Sequence, residues 1–104
     1  MAKNYWFAKH PEGKLLQGSA DVSNPLSLNN DDVIDVSITV AGATLGDFVL
    51  GSISIDPEDL SVSASVTAAD TVTLTLSNST GSGVDLDAFT ANALVIPNKT
   101  YYEA

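Results

Sequence analysis

The sequence has no cysteine, and only four of its 104 residues are lysine or arginine. The first absence excludes disulfides and thiolate zinc sites, so the fold has to be held by packing or by association with further copies. The second stands against thirteen acids and a net charge of -9. It argues against nucleic acid as a partner, because that binding rests on cations that neutralise phosphates. The single histidine, His10, lies in a short lysine-bearing stretch and leaves little basis for nucleophilic catalysis. Gly81-Ser82-Gly83 is not followed by lysine, so it is no phosphate loop. No apolar run approaches the ~18 residues of a membrane span. Tyr5-Trp6-Phe7-Ala8, with Lys9-His10-Pro11 directly after it, is too short for the apolar core of a signal peptide. These absences lead us to expect no enzymatic activity, no cofactor, no metal and no membrane partner.

What the chain has instead is alternation. Leu60, Val62, Ala64 and Val66 alternate with Ser61, Ser63, Ser65 and Thr67. Val72, Leu74 and Leu76 then alternate with Thr71, Thr73, Thr75 and Ser77. A period of two puts one apolar and one hydroxyl row on opposite faces of a strand. Two such runs around Ala68-Ala69-Asp70 make a hairpin with one dry face and one wet face. Ile34, Val36, Ile38 and Val40 repeat the pattern, and their β-branched side chains suit a pleated surface. Phe48 to Ile55 carries apolar groups on both faces, which predicts a central strand or one at a subunit contact, with Gly51 a candidate bulge. Val84, Leu86 and Phe89 point to a core, and Ala93-Leu94-Val95-Ile96 reads as a last strand ended by Pro97.

The connections carry turn chemistry. Lys14-Leu15-Leu16-Gln17 reads as a short strand after the turn Pro11-Glu12-Gly13. Gly18 to Asp32 reads as a polar connection whose Asn29-Asn30-Asp31-Asp32 suits Asx turns, calcium being the weaker reading because the spacing of an EF-hand is absent. Gly42 and Gly46 predict positive φ or a close approach. Asp56-Pro57-Glu58-Asp59 reads as a turn or one helical turn, and Asn78 to Gly83 as an exposed, flexible loop tip. Asn78-Ser79-Thr80 and Asn98-Lys99-Thr100 match the glycosylation pattern, which carries little weight without a signal peptide. Six or seven short strands at intervals of about ten residues predict an all-β fold, an antiparallel β-sandwich or a jelly-roll-like barrel.

Charge divides the chain. Lys3, Lys9 and Lys14 lie in the first fourteen residues beside Tyr5, Trp6, Phe7 and His10. From Leu15 to Asn98 there are eleven acids and no lysine or arginine. This predicts an extended N-terminal arm, residues 1–18, on an acidic sandwich body, residues 19–104. The rings of the arm either fold back on the domain's own sheet as an edge strand or anchor a partner surface, where Trp and Tyr are enriched. Tyr101 and Tyr102 pack either on the domain or on a neighbour.

Val40-Ala41-Gly42-Ala43-Thr44-Leu45-Gly46-Asp47-Phe48, followed by the alternating run from Leu60 to Val72 and by Asn78-Ser79-Thr80-Gly81, resembles small virion proteins of tailed phages. The similar part, about Ile34 to Ile96, looks like the head-decoration, or cement, proteins that sit as trimers on the capsid shell. The resemblance implies a structural protein on the outer surface of a capsid, made in the host cytoplasm. Its partners would be the major capsid protein and further copies of itself, and it would have no catalytic residues. A trimeric tail-fibre or spike module for host recognition is the alternative, with Ser79 to Gly83 as a candidate sugar contact. The arm lies outside the similar part, so its role rests on composition: Lys3, Tyr5, Trp6, Phe7 and Lys9 are the candidate capsid-binding residues. Phe48, Leu50, Tyr101 and Tyr102 are the candidate oligomer contacts.

Overall fold

Strict alternation becomes strand wherever it occurs. The structure, a computed structural model, describes residues 15–98. Within them the strands are β1 (Leu16–Val22), β2 (Leu26–Leu28), β3 (Val33–Thr39), β4 (Phe48–Ile53), β5 (Ser61–Ala68), β6 (Thr71–Ser77), β7 (Val84–Leu86) and β8 (Phe89–Ile96). All pairings are antiparallel, in the orders β1-β8-β4, β3-β6-β5 and β2-β7. The two three-stranded sheets face each other, β1 over β3, β8 near β6 and β4 over β5. This is the all-β sandwich that the spacing of strands predicts.

The core is built from the inward rows of both sheets. Ile38, Val72, Leu74, Leu76 and Val95 are fully buried, with Leu28, Val40, Ala43, Leu60, Leu86, Phe89, Ala91 and Ala93 around them. The β5–β6 hairpin turns at Asp70, whose φ is 61° and whose backbone N–H donates to the Ala43 carbonyl at 2.9 Å. Asp70 also accepts from the Gly42 N–H through its carboxylate, at 2.8 Å, so one aspartate ties the hairpin to the 41–47 loop. Gly42 and Gly46 have φ of 92° and 94°, as their spacing predicts. Asn29 donates its N–H to the Asp32 carboxylate at 2.8 Å, a side-chain bond that closes the 29–32 turn from its far end rather than the expected Asx turn. Asp56 accepts from the Glu58 N–H at 2.9 Å in a turn that forms no helix.

Four further expectations are corrected. Residues 16–18, counted with the arm, belong to β1, and the polar connection expected from Gly18 onward is strand as far as Val22. β4 is an edge strand rather than a central one, and β8 is central. The apolar groups on both faces of β4 reflect exposure of Phe48 and Leu50, not burial on both sides. Gly51 marks no bulge: the β4–β8 register is unbroken from Phe48 to Ile53, and the irregularity lies in β5 between Val66 and Ala68. Finally, Asn78 is not part of an exposed tip, as described below.

Gly51 serves a close approach instead. Across the inner face, Gly18, Ala93 and Gly51 form one row, Gly18 opposite Ala93 and Gly51 opposite Ala93. A β-carbon on Gly51 would lie 2.8 Å from that of Ala64 and 3.2 Å from Cδ1 of Leu74. One on Gly18 would lie 2.3 Å from the Thr39 carbonyl oxygen. Both glycines of the sheet thus fall in one row, and there the sheet closes most tightly on its partner. Gly51→Val should overpack this waist and lower stability by about 1–3 kcal/mol in urea unfolding. Ser52→Val, on the outer face of the same strand, should stay within about 0.5 kcal/mol of the parent.

Candidate functional site

The two outer faces of the sandwich differ in chemistry. On β3-β6-β5 the outward rows are Ser61–Ser77–Val33, Ser63–Thr75–Asp35 and Ser65–Thr73–Ser37, nearly all hydroxyl. Thr75 donates to Asp35 at 2.7 Å, and Thr67 and Thr73 share a bond at 2.8 Å. Such a face is well hydrated and offers a partner little gain over water.

The outer face of β1-β8-β4 is graded. At one end Thr90 donates to Asp21 at 2.9 Å, and the next row is Ser19–Asn92–Ser52. Then come Gln17–Leu94–Leu50 and the pair Ile96–Phe48, with Leu15 just before the first pair of β1. Phe48 is 59% exposed, Leu50 63% and Leu15 46%, with Leu94 and Ile96 half-buried between them. Where the inner row Gly18–Ala93–Gly51 lets the sheet close on its partner, its outer side is hollow. A depression of about 380 Å³ is lined by Gln17, Ser19, Leu50, Ser52, Asn92 and Leu94 over that row. Contiguous exposed apolar side chains beside a hollow mark an interaction site more often than chance exposure does.

Phe48 and Leu50, the oligomer contacts read from the sequence, are therefore together on this face. Lys3, Tyr5, Trp6, Phe7, Lys9, Tyr101 and Tyr102 lie outside the described residues. Leu15, Leu94 and Ile96 complete the patch and escaped the sequence reading. The signal for two of them was present in Ala93-Leu94-Val95-Ile96, a run without alternation, which marks a strand with apolar groups on both sides.

At the loops beyond β6, Asn78 is 1% exposed. Its Nδ2 donates to the carbonyls of Leu28, Asn29 and Ser82 at 3.0, 3.2 and 2.8 Å. Its Oδ1 accepts from the N–H and hydroxyl of Thr80 at 3.0 and 2.8 Å. Its backbone exchanges bonds with Asp31 and Asp32, and Gly81 donates to Asn30 Oδ1 at 2.9 Å. The Asn78-Ser79-Thr80 match is thus a structural knot, and its amide is spent inside. Beside β7, Asp56, Glu58, Asp85 and Asp87 line a hollow of about 230 Å³, and Asp85 accepts from the Ser27 hydroxyl of β2. Among the described residues no group of acids or imidazoles converges as a metal site requires. Among the described residues the geometry shows an apolar patch on one face and no assembled catalytic group. No family model, no curated protein and no solved structure matches the chain.

Proposed function

We propose that the chain is a structural virion protein, a head-decoration protein that binds the outside of a tailed-phage capsid and, as a homotrimer, holds neighbouring capsid subunits together. The observation that carries the reading is the contrast between the two faces: one hydroxylated, one with a contiguous apolar patch. A coat reinforcement protein needs that division, inert toward solvent and adhesive on one side. On the shell, where the capsid brings the copies side by side, Phe48 and Leu50 are the contacts through which they meet, and Tyr101 and Tyr102 add to them. Lys3, Tyr5, Trp6, Phe7 and Lys9 grip the shell. Many weak contacts act together because three linked copies raise the effective concentration of each.

The test is to delete residues 1–10 and mix the product with undecorated heads. Binding should be lost while the body stays folded, and undiminished binding would remove the arm from attachment. A tail-fibre or spike module is the second reading, favoured by the loop that Asn78 holds in one shape and that offers Ser79 to Gly83 ready-formed. Binding of glycans by the domain and a handful of copies per virion would support it. Hundreds of copies per virion would support decoration.

A further inference from the structure

The apolar end of the β1-β8-β4 face needs an occupant in the free protein, and three observations select one. The first is position. Leu15, where the described body begins, lies in the patch itself. Phe7 is eight residues earlier, a tether of up to about 26 Å when extended, whereas three strands span only about 10 Å. Pro11-Glu12-Gly13, a turn sequence, lies in between.

The second is area. A patch of a few large side chains exposes a few hundred Å² at most. A stable pair of rigid copies needs roughly 800 Å² from each partner. A segment of the same chain needs less, because it loses no translational or rotational freedom and is held at millimolar effective concentration by a short tether. The third is charge. Residues 15–98 hold eleven acids and no lysine or arginine, while the first fourteen hold three lysines and one acid. Opposite charges attract over a Debye length of about 8 Å at physiological salt, so a segment tethered at Leu15 is drawn toward the acidic body.

We propose that in the free subunit residues 1–14 dock on the outer face of their own β1-β8-β4 sheet, with Tyr5, Trp6 and Phe7 covering Phe48, Leu50 and Leu94. This concerns the protein before it meets a shell, and it stands or falls separately from capsid decoration.

Trp6 is the sole tryptophan, so its fluorescence reports this contact alone, without heads present. In the full-length protein its emission should be blue-shifted from that of N-acetyltryptophanamide and protected from acrylamide quenching, at every protein concentration. Leu50→Asp should remove both the shift and the protection. Ser65→Asp, on the outward hydroxyl row of β5 on the opposite face, should leave them unchanged. Phe48→Ser gives a second disruption at the other end of the patch, and far-UV circular dichroism checks that each variant is folded. Three results would overturn the proposal. They are a parent Trp6 as accessible as the free amide, a blue shift that survives both Leu50→Asp and Phe48→Ser, and protection that vanishes on dilution. The last would assign the patch to a second copy.

Discussion

Asn78→Ala is expected to destabilise the fold by about 3–5 kcal/mol, the largest effect of any polar substitution in the body. The substitution strips the side-chain donor from three carbonyls, those of Leu28, Asn29 and Ser82, and the acceptor from Thr80. Each buried polar group left unmet costs about 1–3 kcal/mol, and partial access of water near Thr80 and Ser82 keeps the sum below the maximum. Asn78→Asp separates the causes. Aspartate keeps the size and the acceptor but loses the donors, and it sets a carboxylate beside carbonyl oxygens. It should therefore be at least as damaging as alanine, measured as the urea midpoint at neutral pH. A tolerated aspartate would show that the donors do not hold these loops together.

Leu74→Ala is expected to lower stability by about 2–5 kcal/mol. Leu74 is fully buried on β6, the middle strand of its sheet, and its Cδ1 faces Gly51 across the sandwich. Removing three carbons costs their transfer from water plus the cavity that remains. Gly51 has no side chain with which to refill the space, and Ala64 beside it is little larger. The cost should therefore fall in the upper half of that range. The double variant Gly51→Ala with Leu74→Ala tests this directly. The added methyl gains the volume that Cδ1 of Leu74 vacates, although its 2.8 Å approach to the β-carbon of Ala64 remains. In urea unfolding Gly51→Ala should therefore cost less in the Leu74→Ala background than in the parent, a coupling of the kind expected between touching residues. Strict additivity would mean that the waist does not close on Leu74.

The parts of the fold that were legible in the sequence are those where a large apolar side chain alternates with a polar one. β3, β5 and β6 follow that rule because each has one buried and one wet face, and their inward residues are those the period picks out. Of β1 only the start was legible, as the short strand at Lys14-Leu15-Leu16-Gln17, and the rest was hidden by its own chemistry. The next inward residues after Leu16 are Gly18 and Ala20, small because the sheets are close there, and small side chains give no hydrophobic signal until Val22. The central place of β8 was hidden for another reason. Its partners are Leu16–Val22 and Phe48–Ile53, far away in the chain, and no local pattern encodes a distant pairing. Composition also cannot separate a loose loop from a fastened one. Asn78 to Gly83 has the same Asn, Ser, Thr and Gly content in either case, and only the carbonyls that converge on Asn78 decide it. The candidate site was half visible: Phe48 and Leu50 broke the alternation of β4, whereas the part played by Leu15 and Ile96 depends on register.

The place of β8 bears on how the molecule comes into being. β1 and β4 leave the ribosome with no hydrogen-bonding neighbour of their own, because the strand that joins them is translated after both. The β5–β6 hairpin closes from local contacts, but half of the sandwich waits for Leu16 to find Val95. Loops of that length close late, and chains dominated by such pairings mature in milliseconds to seconds rather than microseconds. During that interval the nascent polypeptide carries two unmatched ribbons, and its heavy negative charge is what keeps one unfinished molecule from joining another.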